Sequence, residues 1–385
     1  MSKSDGNRSR GRVGIVTLPG NYNYGNRLQL FAEIRIYESL GYEPVSLVFR
    51  RRERPLAHPN RIIRRLAGKQ GTPSADSARP AGRAEAFGRF SRLIPERTYE
   101  SLRDIETGSY AYFSVGSDQV WNPNGGMVGA RDGLTKKIYH SIVDPGEARD
   151  ASDWLFLRFA DRGQRIALAP SIGADSVDAR QARWLADGVS CFDSLSVREE
   201  RGAEIIRECS GREAEVVCDP TLALPRREWA ELADDRLTPK GPYVLAYLLG
   251  GPSGESEAVL SAVTDGGAIP VTPLSDKSRR GEPDAGPLEF LSLVGHASHV
   301  VTDSFHASVF SAIFERPLTI VHRAGAGPMF SRLQALANAL GLQDKIYGDE
   351  SIDLPRHASY EGVADAIARE REKFLEYLES ALDNR

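Results

Sequence analysis

An α/β protein with largely parallel sheets is what this sequence predicts, on three observations. Short β-branched runs alternate with longer segments of helical period. Each strand-like run passes at once into a polar turn holding glycine or proline. After a polar linker, RREWAELADDRLTPKGP, the same alternation begins again. The 385 residues therefore divide into two units, in keeping with roughly one domain per 150 residues.

The elements follow in order. RVGIVTL (12–18) is the first strand, and residues 27–40 then place Leu30, Phe31, Ile34, Tyr37 and Leu40 on one helical face, with Gly41 as the stop. PVSLVF (44–49) closes a βαβ unit. From Arg50 to Arg65 seven arginines stand against one glutamate; the run is either a solvated face or a contact with an anionic glycan, a lipid phosphate or a partner, the last including peripheral membrane contact. The small-residue stretch after it, about 66–84, is expected to be a mobile loop. AYFSV (111–115), RIALA (165–169), SLSV (194–197) and EVVC (215–218) complete the first sheet. YVLAYLL (243–249), AIPVTP (268–273), HVVT (299–302) and PLTIV (317–321) form the second. Residues 360–382 put Val363, Ile367, Phe374, Leu378 and Leu382 at helical spacing. The expected units are thus 1–232, 233–350, and a C-terminal amphipathic helix within 351–385 that packs on the domains.

Composition narrows the function. With 41% hydrophobic and 26% charged residues, the chain has the make-up of a soluble globular protein. No apolar run reaches the length a bilayer needs. The first twelve residues are polar and basic with no apolar stretch behind them, so secretion is not expected. Cys191, Cys209 and Cys218 are an odd set at no metal-like spacing, which suits a reducing cytoplasm. A net charge of −4 argues against nucleic acid as a partner. No cofactor and no metal are expected; His296 and His299 are three apart but lack a third ligand.

In open α/β sheets, ligands gather where strands end and helices begin. The turn Gly20–Arg27 has the glycine spacing of a phosphate loop, but Asn26 and Arg27 stand where Lys and Ser/Thr are required, so a Walker-type site is rejected. The turn serves either close backbone approach to a ligand or structure alone. The turn from Val115 to Asn122 gathers Ser117, Asp118, Gln119 and Trp121, a mixture that suits a sugar. Trp121 either stacks on a pyranose or fills the core; Asp118 is either a base or hydroxyl-orienting group, or an N-cap. Arg198 ends a strand, placed either to fork onto a carboxylate or phosphate or to pair with Glu199 or Glu200. Asp219 is similarly placed, although Asp-Pro commonly only turns the chain. At Asp303-Ser304-Phe305-His306 a strand turns into an apolar helix. Asp303 or Ser304 caps it, and His306 in its first turn is either structural or an acid at the mouth of a cleft.

Taken in order, these turns resemble the polysaccharide pyruvyl transferase family. The matching residues are Gly25-Asn26-Arg27-Leu28-Gln29, Val115 to Asn122, Ser196-Val197-Arg198-Glu199, Asp219-Pro220-Thr221, Pro287 with Phe290-Leu291, Thr302 to His306 continuing to Phe314 and Pro317, and Ser331-Arg332-Leu333. Their shared order and spacing span residues 25–333. The resemblance implies two Rossmann-like domains facing across a cleft, a GT-B-like fold. It also implies transfer of a pyruvyl group from phosphoenolpyruvate to a sugar of a glycan or lipid-linked glycan precursor, giving a ketal. Arg198 would hold the donor, and His306 would protonate it or assist phosphate departure. Asp118 is the second catalytic candidate, with Asn26, Arg27, Ser117, Gln119 and Trp121 as a loop for the acceptor or another ligand. Ser304 stands in the donor site where characterised members carry an arginine, leaving Arg332, Arg323 or Arg27 to supply the cation; Ala307 stands where glycine is common. Two other functions share such a cleft: a nucleotide-sugar glycosyltransferase, and a glycan-binding protein without catalysis.

Overall fold

The computed structural model describes residues 9–18, 20, 22–50, 81–124, 145–324, 330–348 and 357–383. The arginine run beyond Arg50 and most of the stretch after it lie outside the described residues. Ala81–Ser91 is helical, however, so the loop expected to reach residue 84 has already ended at 81.

Seven parallel strands form the first sheet: β1 Arg12–Val16, β2 Glu43–Phe49, β3 Glu96–Tyr99, β4 Tyr112–Val115, β5 Arg165–Ala167, β6 Ser194–Val197 and β7 Glu215–Val216, in the order β3-β2-β1-β4-β5-β6-β7. Four more, β8 Val244–Tyr247, β9 Val271–Leu274, β10 His299–Thr302 and β11 Leu318–Ile320, form a second parallel sheet in the order β11-β10-β8-β9. The central strands are covered on both faces, which is why they read as unbroken apolar runs. β3 was not expected: of ERTY only Tyr99 is buried, so this edge strand carries almost no apolar signal. β9 begins three residues later than its apolar run.

Helix α1 (Tyr24–Ser39) starts before the expected Arg27 because the Asn23 side chain accepts from the Asn26 amide and caps it there. Its buried residues run all round the helix, since it lies between the two sheets rather than on one. Tyr24 stacks on Phe290, centroids 4.7 Å apart, and donates its hydroxyl to the carbonyl of Ala285. Farther along, Phe31 meets Trp229, which packs edge-on to Phe310 at 5.0 Å. Each such aromatic pair adds about 0.5–1.5 kcal/mol beyond its buried area. Helix α2 (Ala81–Ser91) bridges the sheets as well: the fully buried Arg83 donates to the carbonyl of Ser275 and lies over the Tyr24 ring.

The last helix, Val363–Asp383, buries Val363, Phe374, Tyr377, Leu378 and Leu382. It follows the second sheet in sequence but docks on the first. Tyr377 donates to the carbonyl of Ala167, and Tyr112 donates to that of Leu382. Among the described residues, no helix is long and apolar enough to cross a membrane.

Candidate active site

The strand order sets the site. In the first sheet the chain leaves β1 for one side and returns to β4 on the other. In the second it does the same at β8 and β10. Such switch points open crevices at the carboxyl ends of the strands. In the first crevice, Asn26 from α1 donates to Asp118 Oδ2 at 3.1 Å, and Asp118 Oδ1 accepts from the amide of Gln119 at 2.8 Å. Asp118 has φ +69°, a left-handed conformation costing a non-glycine residue of order 1 kcal/mol. It caps no helix. In the second crevice, Asp303 accepts from the amides of Leu249 and Gly250 and so ties the two loops together. Ser304 caps the following helix, α10 (Phe305–Phe314), as the sequence suggested.

At the end of β6, Arg198 is buried among carboxylates. It donates to Asp219 Oδ2 at 2.7 Å and to Ser117 Oγ at 3.1 Å, with Asp118 at 3.7 Å and Glu199 at 3.8 Å. Its guanidinium also lies over the Phe305 ring at 4.9 Å. Its Nε and NH2 atoms have no hydrogen-bond partner. Asp219 is the hub: Oδ1 accepts from the amide and hydroxyl of Thr221, and Oδ2 accepts from Arg198 and Ser117. Burial pushes its carboxyl up, but facing His306, Arg198 and Thr221 reverses this and holds it far below the usual carboxylate range. Burial likewise raises Asp118, and Arg198, His306, Arg332 and Asn26 outweigh it, keeping that carboxyl low.

His306 reaches this hub from the second sheet. Its Nε2 stands 3.7 Å from Asp219 Oδ2, and the ring is 12% exposed. A Cβ on Gly25 would lie 2.0 Å from His306 Nδ1, so the first turn of α1 admits the imidazole only because residue 25 is glycine. Gly116 has the same kind of necessity. A Cβ there would sit 2.0 Å from an oxygen of Glu33, a fully buried carboxyl bonded to Ser114. Burial pushes Glu33 up to about 8, and Asp219 adds to the rise against the Ser114 hydroxyl.

Three arginines were candidates for the cation displaced by Ser304, and the structure separates them. Arg323 is spent on Asp303, at 3.4 Å from its carboxylate. Arg27 turns away to Ser91 in a small hollow beside β2, which also corrects its expected place in the ligand loop. Arg332 alone of the three lines the crevice next to Arg198. With the Gln119 amide turned to suit its neighbours, its side-chain oxygen accepts from both terminal nitrogens of Arg332, at 2.8 and 2.9 Å. Burial and the charge of Arg198 bring its guanidinium down to about 10, against the opposing pull of Glu199 and Asp118.

Other expectations need correction. Trp121 is fully buried, donates to the carbonyl of Leu155 and packs on Phe156 and Phe192, so it cannot stack on a sugar. Ser117 is also fully buried and holds Asp219 and Arg198 instead of a ligand. Ser304 is 4% exposed and occupied by its cap. These corrections do not extend to the two histidines three apart: His296 bonds to Ser292, while His299 bonds to Thr319 and is driven to about 3, chiefly by burial. Sequence reasoning undervalued Asp219, because a strand-ending Asp-Pro looks like a turn; its place at the end of the strand next to that of Arg198 was the available signal. Glu33 and Glu199 were missed as participants, since helical or cap positions do not show which way a carboxylate points.

With this geometry in hand, the comparisons with known proteins fall into place. A model of the polysaccharide pyruvyl transferase family matches residues 23–321, and the chain belongs to that family, whose members are transferases. No curated protein matches it significantly in sequence. Among solved structures, it is similar to the UDP-GlcNAc 2-epimerase of Methanocaldococcus jannaschii at 12% identity, with 97% of this chain and 93% of that one covered and a TM-score of 0.46. It is also similar to the UDP-GlcNAc 2-epimerase of Neisseria meningitidis (8%, 95% and 100% covered, TM-score 0.44) and to MurG of Acinetobacter baumannii (10%, 94% and 95%, TM-score 0.39). Likeness this distant says nothing about the reaction.

Proposed function

We propose that the enzyme moves the pyruvyl group of phosphoenolpyruvate onto two hydroxyls of a sugar in a glycan or lipid-linked glycan precursor, forming a ketal in the cytoplasm. The observation that carries this is Arg332, a cation in no ion pair among the described residues, set beside the half-satisfied guanidinium of Arg198 in a crevice whose wall includes Asp219, the carboxylate 3.7 Å from His306. The donor brings what this arrangement lacks: a phosphate and a carboxylate.

The chemistry needs a proton for the donor's methylene carbon, positive charge around two anionic groups, and a base for the attacking hydroxyls. His306 gives the proton, turning methylene into methyl and leaving the neighbouring carbon cationic. Asp219, ionised and fixed by four hydrogen bonds, stabilises the imidazolium beforehand. Arg332 and the free edge of Arg198 hold the donor's charge. Asp118, with both oxygens bonded and its carboxyl held low, is a poor base and serves better as counter-charge to the developing cation.

Calorimetric titration with phosphoenolpyruvate tests the reading. Saturable binding is expected for the wild type, weakened about 10- to 100-fold in Arg332→Gln, the scale of one charged hydrogen-bonding group. Binding of uridine or guanosine diphosphate with no response to phosphoenolpyruvate would replace the reading with nucleotide-sugar chemistry.

A further inference from the structure

Each acceptor hydroxyl that adds to the donor carbon must lose a proton, and the three carboxylates around Arg198 differ in their capacity to take it. Both oxygens of Asp219 are filled, and so are both oxygens of Asp118. Glu199 is different. Its Oε1 is locked by three donors, the Ser171 hydroxyl at 2.9 Å and the amides of Ile172 and Gly173 at 2.8 and 3.0 Å. Its Oε2 accepts no hydrogen bond and has Arg198 Nε 3.8 Å away, although the side chain is only 7% exposed. A carboxylate so anchored by one oxygen presents the other in a fixed place.

Glu199 lines a cavity of about 590 Å³ between β6, β7 and the helix Ser331–Leu340, and Arg198 and Arg332 form part of the same wall. That volume is in the range of small-ligand sites and exceeds what a three-carbon donor fills. Val217, Leu222, Phe305 and Leu336 give it an apolar floor. Four of the other charges in it are paired: Arg201 with Glu204 at 2.8 Å, and Lys373 with Glu370 at 3.0 Å. A lining of apolar surface, self-paired ions and the amides of Gln334 and Asn338 suits an uncharged polyol.

We propose that this cavity is the acceptor subsite, that it takes a neutral sugar presenting a free diol, and that Glu199 Oε2 is the base that receives the proton of the first attacking hydroxyl. The inference rests on the pyruvyl-transfer reading above. The balance is complete. His306 gives its proton to the methylene carbon, the first hydroxyl oxygen bonds to the cationic carbon, and its proton passes to Glu199. The bond to the phosphate oxygen then breaks with its electron pair on that oxygen, and Glu199 returns the proton to it. The second hydroxyl closes the ketal, and its proton goes back to the His306 imidazole. Hydrogen phosphate and the ketal leave, with both side chains in their starting states.

Two variants test this, with phosphate release from phosphoenolpyruvate measured against p-nitrophenyl hexosides that carry a free 4,6- or cis-3,4-diol. Glu199→Gln keeps an oxygen for the three anchoring donors and loses the base. Its kcat should fall about 10²- to 10⁴-fold, the usual worth of a positioned base. Phosphoenolpyruvate affinity and melting temperature should hold. Ala335→Trp, on the cavity wall, should raise KM for the hexoside and leave donor affinity alone. Wild-type turnover in Glu199→Gln, or loss of donor binding and thermal stability along with activity, overturns the role of Glu199. An unchanged hexoside KM in Ala335→Trp overturns the subsite. A wild type that releases phosphate with no hexoside counts against pyruvyl transfer itself, and this inference falls with it.

Discussion

The two sheets bring different kinds of charge to the cleft. From the first come Asp118, Arg198, Glu199 and Asp219, one guanidinium held among three carboxylates by close contacts and buried hydroxyls. From the second come His306, 3.7 Å from one carboxylate, and Arg332, for which no carboxylate lies within ion-pair distance among the described residues. An arginine held by three carboxylates is in place without a ligand, whereas Arg332, in no ion pair among the described residues, leaves charge for an anion to meet. The first half is therefore the frame, and the second supplies what the substrate completes.

The sharpest way to break that contrast is Arg198→Gln. Removing the cation strands three carboxylates, two of them fully buried or nearly so, and should cost about 3–5 kcal/mol of stability together with all turnover; chemical denaturation measures the first. If the variant melts like the wild type, the frame is no frame. Next in size is Gly25→Ala, in which the new methyl displaces the His306 ring. Turnover should fall nearly as far as in His306→Ala, about 10²- to 10⁴-fold, with far-ultraviolet circular dichroism unchanged. Arg332→Gln should be the mirror of Arg198→Gln, losing donor affinity with no fall in melting temperature, because no ion pair is broken. A clear drop in its melting temperature would erase the distinction between the halves.

A smaller effect concerns the carboxyl beneath the frame. Glu33 is raised to about 8 in the folded chain, against about 4.3 when unfolded. Between those values the folded state holds a proton that the unfolded state has released. Stability is thus complete below the unfolded value and declines as pH rises toward 8. Glu33→Gln should remove close to one proton from the slope of stability against pH in that window, as read from denaturation at several pH values. An unaltered slope would mean that Glu33 stays ionised when folded. Smallest of all is the response to chelation. The oxygens of Asp118 and Asp219 are already bonded, so EDTA should leave turnover where it was; a loss restored by magnesium or manganese would contradict this.

How much of this could be read from the chain depended on whether local pattern or tertiary position decided the matter. Ten of the strands announce themselves as apolar runs, whereas β3 does not, because an edge strand with three exposed residues needs no apolar side chains. The helical first-turn position of His306 followed from capping chemistry at Ser304. What surrounds His306 did not, because Gly25 and Asp219 meet it from far away in sequence. Trp121 shows the limit from the other side. An indole after a strand reads the same whether it faces a ligand or the core, and only the packing of Phe156 and Phe192 decides. Arg332 was one of three equal cations until the fold turned Arg27 to Ser91 and Arg323 to Asp303.

The return of the last helix to the first sheet bears on how the chain is made. Tyr112 and the carbonyl of Ala167, both in the middle of the first sheet, find their partners in Leu382 and Tyr377. During synthesis at about 5–20 residues per second, the early strands assemble long before those partners exist. The half that is translated first is thus the half finished last, and until residues 363–383 have left the ribosome it holds an uncovered apolar surface. Any change that loosened residues 363–383 would be felt in the middle of the first sheet.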